Sequence, residues 1–214
     1  MKISALRAKA RRNTLEVEHI LAAARTRAPE VNEALQRLSS ECGWSASTHL
    51  EDGTHVVPLA KWAEVAGAYA AGGVEGLVSL AAKPENAGYV IGLLEEMRSQ
   101  ETLTALIGFF PDVVAAPETA PETAWRLVNA FNHLLCTRSP VAANPDQAAQ
   151  IRKFLALFLK IADSDTQIAL VAYALRGVGD ASSIELVMSL KDLSYPYEGA
   201  KADAIRAIRR RLRA

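Results

Sequence analysis

The sequence predicts an all-α protein built from stacked pairs of antiparallel helices, that is, an α solenoid. Half of the 214 residues are hydrophobic and only 6% are aromatic, and the chain is rich in alanine and leucine, which favours helices over a β sandwich. Apolar residues recur at helical spacing, with short polar breaks between the runs. One helix pair cannot bury its apolar face alone, so about three or more pairs need to stack.

The clearest helix follows Asn144, which is expected to cap it, and Pro145, which is expected to be its first residue. Its apolar residues fall at i, i+3, i+4, i+7, i+8 and i+11 and form one broad face. They are Ile151, Phe154, Leu155, Phe158, Leu159 and Ala162. The next helix is expected to bury a second set at helical spacing, namely Ile168, Val171, Leu175 and Val178.

Residues 174–190, ALRGVGDASSIELVMSL, join two helices. Gly177 and Gly179 are expected to end the first helix in the left-handed conformation, and Asp180 is expected to cap the second. The second helix is expected to bury Ile184, Val187, Met188 and Leu190. The final helix is expected to bury a stripe of Ile205, Ile208 and Leu212, and to turn four arginines away from it: Arg206, Arg209, Arg210 and Arg213.

The same pattern of helix, polar break and helix occurs at 86–110. When the two segments are aligned so that Leu94 matches Leu175, the offset between them is 81 residues. Half of this offset, about 40 residues, leads from Leu94 to Leu135, which lies in another helical run. The chain therefore has an approximate period of 40 residues, each period being one helix pair.

Residues 174–192, ALRGVGDASSIELVMSLKD, resemble a HEAT repeat: one helix ends in Ala-Leu-x-x-x-Gly-Asp and the next begins x-x-x-Ile-x-x-Val. The resemblance covers 164–212 and extends to 86–110, whereas 121–162 share only the helix-pair pattern. It implies a right-handed α-α superhelix forming a single domain over residues 1–214. Repeated pairs would occupy 56–214, with a degenerate pair at 56–83, after an irregular N-terminal cap at 1–55.

Three segments are less regular. Residues 1–40 are expected to form two helices, with Pro29 between them or just inside the second. Asp52-Gly53 is a tight-turn signal, so 47–57 form either a small β hairpin or an irregular loop. Residues 111–121 hold three prolines and are expected to be a rigid connector between helix pairs.

Composition excludes several classes of protein. The 24 basic and 24 acidic side chains cancel, so net charge gives no case for nucleic acid or an anionic membrane as partner. No apolar run is long enough for a signal peptide core or a membrane span. Cys42 and Cys136 form no metal-binding motif and are expected to be reduced thiols. We expect a soluble, cytoplasmic protein, monomeric or weakly dimeric, with no membrane partner.

No catalytic constellation is present in the sequence. It contains no GxSxG, HExxH, P-loop or paired CxxC motif, and GVGD lacks the third glycine and the preceding strand of a dinucleotide-binding loop. His49 and His55, with Glu51 or Asp52, form either a metal site or the ordinary surface of a turn. We therefore expect no enzymatic activity, no cofactor and no catalytic or metal-binding residue.

Charge is unevenly distributed along the chain. Residues 1–40 carry eight basic and four acidic groups. Residues 85–122 carry one basic and seven acidic groups, and residues 191–214 carry seven basic and three acidic groups. The acidic middle is either a set of solvated helix faces or a surface that faces a basic partner. Its carboxylates are Glu85, Glu95, Glu96, Glu101, Asp112, Glu118 and Glu122. Beside them, Trp125, Asn129 and His133 fall at i, i+4 and i+8, which forms a packed helix edge or a Trp-centred interface patch.

The HEAT resemblance implies a non-enzymatic protein-binding module of bacterial type. One concrete form is an immunity protein that neutralises a toxin, such as a basic nuclease, through the acidic surface. An alternative is a HEAT-like nucleic-acid-binding protein or a relative of the DNA glycosylases, and a third is a relative of the bilin lyases. Because the basic groups cluster at the ends of the chain and the middle is acidic, nucleic acid is the less favoured partner.

Overall fold

The computed structural model describes residues 29–41, 61–136 and 140–213, and every regular element among them is helical. The all-α prediction is therefore confirmed for these residues. The candidate hairpin at 47–57, the first predicted helix, and His49 and His55 lie outside them.

The helices are α1 Pro29–Glu41, α2 Trp62–Leu80, α3 Pro84–Met97, α4 Gln100–Phe109, α5 Pro111–Ala115, a 3-10 helix Pro117–Thr119, α6 Pro121–Cys136, α7 Pro145–Phe158, α8 Asp165–Val178, α9 Ala181–Ser189 and α10 Ala200–Arg211. None of the helices in this part of the chain is both long and apolar enough to cross a lipid bilayer.

The chain divides into two compact units, Met1–Met97 and Arg98–Ala214. In the first unit α1 packs against α2 and α3. Leu35 and Leu38 of α1, Val65 of α2 and Val90 of α3 are fully buried or nearly so. Helix α1 begins at Pro29, which places this proline at the start of the second predicted helix, where its missing N–H has no cost.

Helix α2 is broken at Gly72 and Gly73, whose backbone angles are not helical. Gly73 has φ +57°, a left-handed conformation that favours glycine. The two halves then approach so closely that a Cβ atom on Gly76 would lie 1.9 Å from the Ala68 carbonyl oxygen. The described part of the degenerate pair predicted at 56–83 thus consists of two helical runs, one on each side of the break.

The segment 111–121 contains helical turns where a plain connector was expected. Pro111 begins α5, Pro117 begins the 3-10 helix and Pro121 begins α6. Proline suits each of these positions because the first helical N–H has no acceptor within its own helix. The three prolines therefore mark three consecutive helix starts.

Helix α8 is central to the second unit, since it packs against α6, α7 and α10. Its buried residues are Ile168, Ala169, Val171, Ala172, Ala174, Leu175 and Val178. Between α6 and α7, Phe131 meets Phe154 edge to face, with ring centroids 5.8 Å apart. Together these helices form the core against which the remaining helices of the unit pack.

The predicted helix caps at 144 and 180 are confirmed. Asn144 accepts from the Gln147 N–H at 2.9 Å, and Asp180 accepts from the Ser183 N–H at 3.0 Å. In both cases the third residue of the helix bonds back to the backbone N–H of the cap, which completes a capping box. These interactions are local, so residue type and spacing are enough to predict them.

The prediction that Gly177 and Gly179 adopt the left-handed conformation is wrong. Gly177 lies within α8, and Gly179 is extended, with φ −60° and ψ 151°. Both glycines are instead explained by close packing. A Cβ on Gly177 would lie 2.5 Å from the Leu135 Cβ of α6, and one on Gly179 would lie 2.8 Å from the Ile208 Cδ1 of α10.

The predicted buried faces of the last two helices need correction. Met188 is 60% exposed and Leu212 is 52% exposed. The buried stripe of α10 is Ala200, Ala204 and Ile208, which are spaced at i, i+4 and i+8. Alanine lets α10 approach α8 closely, and this turns the larger side chains Ile205 and Leu212 away from the core.

Candidate functional site

The seven carboxylates of the acidic middle are divided between the two units. Glu85, Glu95 and Glu96 lie on α3 of the first unit, where Glu85 is exposed and the other two are half-buried. The other four belong to the second unit and are all exposed: Glu101, Asp112, Glu118 and Glu122. Each group therefore belongs to the surface of its own unit.

Five of these carboxylates lie in the first turn of a helical element, namely Glu85, Glu101, Asp112, Glu118 and Glu122. A helix N-terminus carries a partial positive charge, and a carboxylate near it is stabilising by about 0.3–1 kcal/mol at a surface site. The acidic middle thus follows in part from the number of helices that begin between residues 84 and 121. This stabilisation does not remove the charges from the surface.

Asp112, Glu118 and Glu122 form the densest part of this surface, which we call the acidic surface. They lie within eleven residues of one another on α5, the 3-10 helix and α6, and these three elements pack against each other. Glu122 pairs with Arg126 at 3.0 Å, whereas Asp112 and Glu118 form no ion pair with the residues that the structure describes. Residues 99–125 contain no Lys, Arg or His, so this negative charge has little local compensation.

The predicted stripe on α6 is a half-buried helix edge. The Trp125 ring stacks on the Phe158 ring of α7, with centroids 6.3 Å apart and 20° between the planes. Asn129 is half-buried, and the Arg98 guanidinium bonds to Nε2 of His133. Burial, together with the nearby Arg98 charge, lowers the pKa of His133, so this imidazole is neutral near pH 7.

The thiol of Cys136 at the end of α6 has the environment of a structural group. Its Sγ donates to the Tyr173 carbonyl at 2.9 Å, and burial raises the pKa of Cys136 to about 11. A thiol of this kind is almost wholly protonated at neutral pH and is a poor nucleophile.

A second surface, which sequence reasoning did not identify, is a groove of about 680 Å³ between α9 and α10. We call it the arginine groove. It is lined by three apolar residues and four arginines: Met188, Ala202, Ile205, Arg206, Arg209, Arg210 and Arg213. The four arginines were predicted as the solvent-facing side of α10, but the groove they form depends on where α9 packs.

Contacts of two other basic residues hold α10 in place. Lys201 Nζ donates to the Leu190 carbonyl at the end of α9 at 2.6 Å and pairs with Asp192 at 3.2 Å. Arg211 donates to the Gly177 carbonyl at the end of α8. Arg211 thus bonds to another helix of the fold, whereas the groove arginines face solvent.

The groove arginines are only partly compensated. Arg206 pairs with Asp203 at 3.2 Å, one turn earlier on α10. Arg209, Arg210 and Arg213 form no ion pair with any residue in the described ranges, and all three are exposed. The groove is therefore an exposed cationic surface with an apolar component.

Comparison of this chain with models of known protein families, with curated proteins and with solved structures gave no match.

Proposed function

We propose that this chain is a non-enzymatic protein-binding module of HEAT-like helix pairs, and that its acidic surface contacts a partner with a basic surface. The observation that carries the proposal is the exposure of Asp112, Glu118 and Glu122 in a stretch with no basic residue between 99 and 125. Opposite charge on a partner would steer its approach and exclude acidic competitors.

The packing of alternate helices supports the repeat part of this proposal. Leu135 of α6 meets Gly177 of α8, and α8 in turn packs against α10. Contacts between residues about 40 positions apart are what stacked helix pairs of that period produce. A right-handed superhelix of such pairs would present its loops and outer helices as an extended binding surface.

In its specific form, the proposal makes the chain an immunity protein against a basic nuclease toxin. A nuclease binds nucleic acid through a positively charged surface, because phosphate contacts supply much of the affinity. An acidic module that covers this surface would compete with the substrate directly and would need no catalytic group.

The test compares two variants with equal charge change. The first neutralises the acidic surface, with Asp112→Asn, Glu118→Gln and Glu122→Gln. The control neutralises three exposed carboxylates elsewhere in the same unit, with Asp163→Asn, Glu185→Gln and Glu198→Gln. Circular dichroism melting first establishes that both variants are folded.

Binding is measured by surface plasmon resonance against the purified products of the genes adjacent to this one, at two salt concentrations. We expect a basic partner that binds the wild type and the control alike. Its affinity for the acidic-surface variant should fall at least tenfold, mainly through a slower association rate. A nuclease among these products should also lose activity when the wild-type chain is added. The proposal is overturned if no adjacent product binds, if the partner is acidic, or if both variants lose affinity equally.

A further inference from the structure

The four arginines of the arginine groove form one face of α10. Arg206, Arg209, Arg210 and Arg213 follow the spacing i, i+3, i+4 and i+7, so they lie along one side of the helix. The helix C-terminus favours cations near the last turn. That effect explains why positive charge is tolerated here, but it does not explain why an apolar surface lies beside it.

The groove also has an apolar component. Met188 of α9 is 60% exposed, and Ile205 of α10 is half-buried and lines the same groove. Methionine is flexible and polarisable, and it is common on surfaces that adapt to the apolar side chains of a partner. An exposed apolar area surrounded by cations fits a ligand that is itself apolar and anionic.

We propose that the arginine groove binds a short acidic, amphipathic helix of another protein. Carboxylates of such a helix would pair with Arg209, Arg210 and Arg213, and its apolar side chains would cover Met188 and Ile205. A groove of about 680 Å³ is in the size range of ligand-binding clefts. This surface is separate from the acidic surface, and the proposal does not depend on the function proposed above.

Nucleic acid fits the groove less well than a peptide does. Single-stranded nucleic acid is held by aromatic side chains on which its bases stack, and none of the residues lining the groove is aromatic. Phosphate groups would satisfy the arginines, but they would leave Met188 and Ile205 uncovered. Arg209, Arg210 and Arg213 would then bind the phosphates, while the apolar half of the groove would stay exposed to solvent.

The probe is a fluorescein-labelled 16-residue peptide that carries Leu at i, i+3, i+4 and i+7 and Glu on the remaining face. A second peptide replaces every Glu with Gln, and a labelled 16-nucleotide single-stranded DNA provides the nucleic-acid comparison. Fluorescence anisotropy of the full chain with each probe, at 50 and 200 mM salt, gives the dissociation constants. We expect micromolar binding of the Glu peptide at low salt, at least tenfold weaker binding of the Gln peptide, and weaker binding of the DNA.

Three variants of the chain then locate the binding. Arg209→Gln with Arg213→Gln should weaken binding of the Glu peptide about five- to tenfold, and Met188→Gln should weaken it about threefold or more. The control, Lys153→Gln with Lys160→Gln, removes the same charge from exposed sites on and just after α7. It should change the affinity for the Glu peptide less than twofold. All three sets change exposed residues, so their melting curves should match that of the wild type.

The proposal is overturned by any of four results. These are no binding of the Glu peptide, equal binding of the Gln peptide, tighter binding of the DNA, or equal loss in the Arg209/Arg213 and Lys153/Lys160 variants. Light scattering of the chain alone addresses a second copy as the occupant. A dimer that dissociates in the Arg209→Gln, Arg213→Gln variant would assign the groove to self-association and would also overturn the proposal.

Discussion

Gly177 of α8 lies against Leu135 of α6 so closely that a Cβ atom at residue 177 would be 2.5 Å from the Leu135 Cβ and 2.8 Å from its carbonyl oxygen. We expect Gly177→Ala to destabilise the chain by about 1–3 kcal/mol, because one helix has to move to admit the methyl group. Urea denaturation followed by circular dichroism measures the change in the free energy of unfolding.

The control for this prediction is Gly108→Ala in α4, where a Cβ would have no neighbour within 4 Å. This substitution should stabilise the chain by about 0.5–1 kcal/mol, because alanine loses less backbone entropy than glycine in a helix. The two substitutions are chemically identical and should have opposite signs. A Gly177→Ala variant as stable as the Gly108→Ala variant would contradict the close packing of α6 and α8.

Asp180 combines a helix cap with an ion pair. Its carboxylate accepts from Ser183 N–H at 3.0 Å and meets the Arg152 Nε at 2.9 Å. Bonds from Ser182 and Ser183 and the charge of Arg152 lower the pKa of Asp180 from 3.8 to about 2. Because the folded state binds the proton less readily than the unfolded state, the carboxylate stabilises the fold above about pH 4. This stabilisation is lost as the pH falls through about 2.

We therefore expect Asp180→Asn to remove part of the fall in melting temperature between pH 4 and pH 2. Asparagine caps a helix about as well as aspartate, so Asp180→Asn should lower the free energy of unfolding at pH 7 less than Asp180→Ala does. Loss of the cap alone should lower it by about 1 kcal/mol in Asp180→Ala. Thermal melts at pH 2, 3, 4 and 7 measure both effects. An unchanged pH profile in Asp180→Asn would show that other carboxylates account for the acid sensitivity.

The contrast between Asn144 and Met188 shows which features can be predicted from sequence. A cap involves residues three positions apart, so Asn144 and Asp180 were identified from residue type alone. Whether Met188 is buried depends on how α9 packs against α10, and this packing involves residues far apart in the sequence. Alanine carries little weight in a hydrophobic pattern, so the pattern of α10 predicts burial of the larger Leu212.

The same limit applies to the two surfaces for which binding is proposed. The carboxylates at 112, 118 and 122 were identified from charge counting, because local composition is visible in a sequence. The arginine groove was not, since it needs one apolar residue from α9 next to a face of α10. A methionine followed about 20 residues later by arginines at i, i+3, i+4 and i+7 is too common a pattern to indicate a groove.

Cys136 should react slowly with thiol reagents in the folded chain. With its pKa raised to about 11, roughly one thiol in a thousand is ionised at pH 8, compared with about a quarter for an unperturbed cysteine. In a Cys42→Ser background, which leaves Cys136 as the single thiol, we expect reaction with Ellman's reagent at least 100-fold slower than in denaturant. Equal rates in the folded and denatured chain would contradict the burial of this thiol.

Gln147 joins the cap of α7 to α4 and should be the more important of two capping glutamines. Its Oε1 accepts from Asn144 N–H at 3.0 Å and from Gln100 Nε2 at 2.7 Å, and its Nε2 donates to Thr104 Oγ1 at 3.0 Å. Gln147 is only 8% exposed, and Gln147→Leu removes three part-buried hydrogen bonds at once, so it should cost about 1–3 kcal/mol.

Gln167 is the matched control for Gln147. It occupies the third position of α8 and accepts from Asp163 N–H at 2.8 Å, but this bond is exposed to solvent. Water can replace the lost partner there, so Gln167→Leu should cost less than about 1 kcal/mol. The difference between the two variants in urea denaturation measures what the bonds from Gln147 to α4 add to the capping interaction. Equal losses would show that the bonds from Gln147 to α4 contribute little to the packing of α4 against α7.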